Sequence, residues 1–287
     1  MRGAILYVLL SGIAWFVCAA VVLAIAILDL ARAFDRRRRL ARAAGFAVLL
    51  AIPLAALTGT PLPLVAAIPI VAAASAYAIS GVGKTGRRRL VPALAALGAV
   101  AAIALEVPHF VRDRAPVRGR VVVIGDSLSS GGFGEAAAWP ELLRASGRNV
   151  VNVSRPSETL ESAVRDRLAE SIRPGDAVIV AVGGNDLLGG TDPRLFARDL
   201  ETLVAQVRRA GAAEIFLLEL PLPAGKWAYG RAQRRIAGRF GVHVIPKRVV
   251  LRVVADPDLT DDGLHPTSAG HRVLAREIGR SLALLRE

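Results

Sequence analysis

Cysteine, aromatic residues and negative charge are all scarce in this chain of 287 residues. The one cysteine, Cys18, leaves no disulfide framework and no cysteine-based metal site within a single chain, although it does not exclude an oxidising compartment. Aromatic residues make up only 5% of a chain that is 53% hydrophobic, because Ala, Val and Leu carry most of the apolar content. Acidic residues number 24 against 37 Lys and Arg, a formal net charge of +13. Such an excess points to nucleic acid when it forms one patch on a soluble domain. Here the sequence through Arg114 has 13 Lys and Arg against 4 Asp and Glu, and these basic residues cluster between long apolar tracts. Basic clusters placed there orient membrane spans, so nucleic-acid binding is not expected.

Four apolar segments are long enough, or nearly so, to cross about 30 Å of hydrocarbon as helices. They cover residues 4–28, 43–60, 61–80 and 90–107. The first is longer than the apolar core of a signal peptide and is followed by Asp29 and an arginine cluster, which favours an uncleaved anchor. The second and third join through the uncharged "TGTPLP" and contain Pro53 and Pro69, which membrane spans tolerate. A re-entrant pair is the alternative for these two. Basic loops stay in the cytoplasm, and "RAFDRRRRLAR" (32–42) and "GKTGRRR" (83–89) are both basic. Both are satisfied if the N-terminus is outside and four spans follow, which puts the rest of the chain outside the cytoplasmic membrane. "AISGVGKT" (78–85) fits a loose phosphate-binding loop, but it follows an apolar span and runs into arginines. It lacks the strand-to-helix setting such a loop needs, so it reads as a linker.

From residue 119 the pattern changes. Short apolar runs at 120–125, 149–153, 176–183, 214–220 and 242–245 read as strands covered on both faces. Helical stretches lie between them at 136–145, 158–171, 193–210 and 226–240, with a last helix starting near Thr267. This alternation implies right-handed crossovers and a parallel sheet between helical layers, with its site where loops leave the strands' carboxyl ends.

Three polar clusters fall at that edge. Gly125-Asp126-Ser127 leaves the first strand, "GGND" (183–186) leaves the third, and "DDGLHP" (261–266) precedes the final helix. A serine hydroxyl becomes a nucleophile when an imidazole takes its proton, and the imidazole needs an acceptor to fix its tautomer. Asp262 and His265 are spaced so that one turn can direct both at Ser127. Asn185 can donate to a developing oxyanion, and Gly183 and Gly184 allow close approach. Asp126 can support the loop. His243 reads as a satisfied core histidine, His271 as a surface or packing residue, and Arg234 and Arg235 as a solvated helix face.

These blocks resemble the SGNH, or GDSL, hydrolases, in the small bacterial lysophospholipase, thioesterase and arylesterase branch. "GDSLSSG" (125–131), "GGND" and "DDGLHP" are similar to the first, third and last family blocks, and "AAWPELL" (137–143) follows the first as it does in that branch. The resemblance implies a flavodoxin-like α/β/α domain with a five-stranded parallel sheet over residues 119–287; the apolar tracts, read on their own, put an all-α transmembrane region of about four helices at 1–110 and a linker at 111–118 before it. The resemblance further implies a Ser127–His265–Asp262 triad, an oxyanion hole from Asn185 with the backbone N–H groups of Ser127 and residue 157, and neither metal nor organic cofactor. The family has glycine in the second block where "NVSRPSET" (152–159) has Ser157.

The expectation is therefore a multi-pass protein of the cytoplasmic membrane whose catalytic domain lies outside. It would cleave an acyl ester of a lipid, a lysophospholipid, a thioester or an acetylated glycan. An O-acyltransferase using the same acyl-enzyme, or a non-catalytic membrane scaffold, are the rival readings. The oligomeric state is left open.

Overall fold

The computed structural model describes residues 2–30, 60–61, 90–110, 116–117, 119–131 and 137–282. The expected spans at 43–60 and 61–80 lie outside the described residues, apart from Thr60 and Pro61, and so does most of the linker. The chain divides into two compact units. One gathers Met1–Tyr7, Val111–Leu222 and Ala228–Glu287; the other gathers Val8–Phe110 with Pro223–Trp227.

The expected first span is two helices, α1 (Arg2–Leu10) and α2 (Ile13–Leu30). They bend by 64° at Ser11-Gly12, where Gly12 adopts φ +93°. Among the described residues no single helix is long and apolar enough to cross a membrane, but this bent pair passes by length and composition together. A third helix, α3 (Leu90–Phe110), covers the expected fourth span and packs against α2. Ala14, Trp15, Cys18, Ala19, Val22 and Ala26 form the buried stripe of α2, while Ala99, Ala102 and Glu106 are buried on α3. The spacings of three and four residues are those of one helix face.

Glu106 is a buried acidic residue that the sequence analysis did not anticipate. A Cβ on Gly12 would lie 3.8 Å from its Oε1 and 3.9 Å from Thr60 Oγ1, so the carboxylate sits where α2 begins.

In the other unit, five parallel strands run in the order β2-β1-β3-β4-β5. These are β1 (Val121–Gly125), β2 (Val150–Asn152), β3 (Ala177–Ala181), β4 (Glu214–Leu218) and β5 (His243–Ile245). The strand positions match those read from the sequence, and the order is the flavodoxin-like one. β1 and β3 are buried at every residue, as expected for continuous apolar runs covered on both faces.

Helices α4 (Ser127–Ser130), α5 (Trp139–Ala145), α6 (Leu160–Arg165), α7 (Gly184–Gly189), α8 (Pro193–Arg209), α9 (Trp227–Phe240), α10 (Arg248–Val254) and α11 (Ser268–Ser281) complete the unit. One core layer sets Leu160, Phe196, Leu200, Leu203 and Ile236 against one face of the sheet. The other sets Trp139, Leu143, Val249, Leu274 and Ile278 against the opposite face.

Three local expectations change. The helix expected at 158–171 breaks after Arg165, because Arg167 adopts φ +54° and a 3-10 turn follows at Leu168–Ser171. Helix α10, of sequence RVVLRVV, was not anticipated, since its β-branched run carries no helical signature. Arg234 is not on a solvated face: its Nε donates to Glu219 Oε1 at 2.8 Å in a pair that is almost wholly buried. Burial pushes the Glu219 carboxyl up, but the charges of Arg234 and Lys247 outweigh it and hold the group below its ordinary range.

Removing one partner of a buried ion pair leaves the other uncompensated, at about 3–5 kcal/mol. Arg234→Met is expected to destabilise the fold by that amount in urea unfolding. Arg235→Met, at an exposed position, is expected to stay within about 0.5 kcal/mol of the parent.

Candidate active site

The site begins with the turn that follows β1. Gly125 has no room for a side chain, since a Cβ there would lie 2.6 Å from Ser129 Oγ and 2.9 Å from Ser154 Oγ. Ser129 lies beneath the turn, where its Oγ accepts a hydrogen bond from Trp139 Nε1 at 3.2 Å. Its carbonyl accepts one from Asn152 Nδ2 at 2.9 Å. Asp126 caps α4, its Oδ1 accepting the Leu128 N–H at 3.1 Å. Ser127 follows at the first position of α4 and is half-buried.

The histidine arrives on a closed loop. A bridge between Thr260 and Pro266 ties its ends, and the Asp261 N–H donates to the His265 carbonyl at 2.9 Å. Asp262 Oδ1 accepts the N–H groups of His265 at 2.7 Å and Leu264 at 2.9 Å. Asp262 Oδ2 lies 2.6 Å from His265 Nδ1, and His265 Nε2 lies 3.1 Å from Ser127 Oγ. The backbone N–H of His265 and then its side chain hold the Asp262 carboxyl well below the usual range, so it is ionised. An ionised Asp262 can only accept, which places the imidazole proton on Nδ1 and leaves Nε2 to accept from the Ser127 hydroxyl.

Gly183 and Gly184 bring the end of β3 to the same place. Gly183 adopts φ +120°, and a Cβ on Gly184 would lie 3.0 Å from Asp126 Oδ2. Asn185 Nδ2 donates to the Glu158 carbonyl at 2.9 Å, which uses one of its two amide hydrogens. Asp186 Oδ2 accepts the Leu160 N–H at 2.9 Å. Adjacent residues of α7 therefore clamp the segment after Ser157 from two sides. Asp186 was not singled out from the sequence; its only signal there is its place at the end of "GGND".

Ser157 occupies the left-handed region at φ +60°. It is the third residue of a turn opened by Arg155 and closed by the Glu158 N–H donating to the Arg155 carbonyl at 3.3 Å. Pro156 at the second position and a positive φ at the third are type II features, where glycine is usual. The turn is tied to β1 by the Arg155 N–H donating to the Gly125 carbonyl at 3.1 Å. Serine thus adopts a backbone that favours glycine.

His243 and His271 lie outside this hydrogen-bonded line. His243 is half-buried and meets Glu214 at 2.8 Å rather than sitting in the core. His271 is a buried packing residue of α11, with burial holding its imidazole below its ordinary value.

The sequence matches the GDSL-like Lipase/Acylhydrolase family over residues 123–273. It is 30% identical over 183 residues to the thioesterase 1/protease 1/lysophospholipase L1 of Escherichia coli, covering 59% of this chain and 86% of that protein. It is 24% identical over 181 residues to an arylesterase of Vibrio mimicus, covering 57% of this chain and 88% of that one. Among solved structures, TesA superposes with a TM-score of 0.51 at 26% identity, over 58% of this chain and 99% of that one. The esterase EstA from Pseudoalteromonas sp. superposes with a TM-score of 0.52 at 24% identity, over 58% and 98%.

Two outcomes test this geometry. Gly125→Ala forces the turn that carries Ser127 to shift, and a displacement near 1 Å is expected to lower kcat/KM by about 100-fold. Asp126 offers a pH test, because burial raises its carboxyl to about 6 against the N–H groups of Leu128 and Gly184 that lower it. A raised carboxyl favours the protonated native state, so its contribution is full below about pH 4 and lost as pH rises through about 6. The drop is on the order of 3 kcal/mol. Asp126→Asn is expected to remove this decline when unfolding is measured from pH 4 to 7.

Proposed function

The chain belongs to the GDSL-like lipase/acylhydrolase family, and we propose that it is a serine ester hydrolase working through an acyl-enzyme on Ser127. The observation that carries this reading is the hydrogen-bonded line from Asp262 through His265 to Ser127. His265 Nε2 takes the Ser127 proton as Oγ attacks the ester carbonyl. Asp262 stabilises the imidazolium, which then protonates the leaving alkoxide or thiolate. The second amide hydrogen of Asn185 and the N–H groups of Ser127 and Ser157 hold the oxyanion. Water, activated by the same imidazole, releases the acid.

Hydrolysis is favoured over transfer by exposure: Asp262 is 55% and His265 22% exposed, so water reaches the base. An acyl group as substrate is supported by Leu188 on α7, 67% exposed just beyond Asn185, and by Leu195, 44% exposed at the start of α8. They give apolar surface on the segments that leave β3. The names of the relatives point to thioesters, lysophospholipids and aryl esters as compounds to try first. We further infer that the N-terminal apolar segments hold the protein in the cytoplasmic membrane as several spans, with the catalytic unit outside.

Ser127→Ala is expected to lower kcat on a chromogenic short-chain ester by on the order of 10^4 or more without changing unfolding. His265→Ala is expected to match it, because the two act as a unit. An unchanged rate in Ser127→Ala would overturn the nucleophile. Ser157→Gly is expected to keep activity and to gain about 1 kcal/mol of stability by relieving its left-handed backbone. The anchor is tested by carbonate extraction and by a reporter fused after residue 287. A protein released by carbonate, or a reporter active only in the cytoplasm, would contradict it.

A further inference from the structure

The outer face of the last helix carries charge of one sign. The exposed residues of α11 are Ser268, Arg272, Arg276 and Arg280. A spacing of four stacks the three guanidiniums along one stripe about 12 Å long. The acid they meet lies beneath them: Glu277 is buried, and its Oε1 accepts from Arg280 at 3.0 Å and from Arg252 of α10 at 3.1 Å, with Arg276 at 3.8 Å. One carboxylate therefore serves three guanidiniums, and Arg272 adds a fourth charge to the row. The opposite helical layer differs, since there Arg198 pairs with Asp199 and Arg239 with Glu201.

We propose that Arg252, Arg272, Arg276 and Arg280 dock the catalytic unit on an anionic phospholipid surface. A guanidinium has five N–H donors, so sharing a carboxylate leaves several to face phosphodiester oxygens. Glu277 holds Arg252 and Arg280 in place before any lipid arrives, which lowers the ordering cost of contact. A nucleic-acid backbone offers the same charges, but the apolar N-terminal segments favour a bilayer. The proposal rests on the reading that those segments keep this unit at a membrane.

The test is chemical modification of the full-length protein by phenylglyoxal, with each arginine read by mass spectrometry. The protein is compared in nanodiscs of phosphatidylcholine and in nanodiscs with about 30% phosphatidylglycerol. A basic residue near an anionic surface gains about 1 kcal/mol, close to fivefold, so Arg272, Arg276 and Arg280 are expected to react about fivefold more slowly with the anionic lipid. Arg235, in the opposite layer, is expected to be unchanged, and about 0.5 M NaCl is expected to abolish the difference. Arg272→Gln/Arg276→Gln is expected to remove the protection of Arg280. Equal reactivity in the two lipids would overturn the proposal. So would equal protection by inorganic phosphate or by a DNA duplex in phosphatidylcholine nanodiscs.

Hydrolysis of a soluble short-chain ester by the double variant is expected to match the parent, which shows that it is folded. A parent that is inactive on every ester counts against the catalytic reading alone. If the chain fails to enter nanodiscs, the anchor is wrong, and the same modification with added phosphatidylglycerol vesicles decides the docking.

Discussion

β1 and β3 run side by side from Val121 against Ala177 to Gly125 against Ala181. Because both strands are parallel and buried throughout, the chain leaves the sheet twice at one edge, on adjacent strands. The turn that carries Ser127 and the "GGND" turn follow directly from those exits. Slipping this register by one residue would reverse the facing of the β1 side chains and part Ser127 from Asn185. The last cluster reaches the same edge by another route, through β5, α10 and a loop closed by Thr260 and Pro266.

Hydrogen bonds between the blocks turn this meeting into a site. Asp126 joins the first block to the third, Asn185 and Asp186 join the third to the second, and Arg155 joins the second back to Gly125. The circle closes without help from the substrate. On the proposed reading, such pre-organisation would let an oxyanion hole act with little rearrangement when charge develops. It also explains why a serine can hold a left-handed backbone at position 157: the turn is fixed at both ends, and the surroundings outweigh a local cost of about 1–2 kcal/mol.

The parts of this account set by periodicity and by turn chemistry were legible in the sequence. The five strands, the helices α5, α8, α9 and α11, and the loops that carry Ser127, Asp262 and His265 to one edge follow from apolar runs broken by Gly, Asp and Asn. What stayed hidden depends on partners distant in sequence. Arg234 reads like any helical arginine until Glu219 is placed beneath it. Glu106 looks like a stray charge in an apolar run until the break at Gly12 brings a helix start to it. α10 was illegible for a different reason, because RVVLRVV has strand propensity and only packing against α11 makes it a helix.

The central claim is that Ser127, and no other residue, takes the acyl group. Its most direct measurement is peptide mass mapping of the full-length protein after reaction with a fluorophosphonate. A single adduct on Ser127 that disappears on acid unfolding before labelling is the predicted result. A folded protein that stays unmodified, or one modified at a serine other than Ser127, would contradict the account.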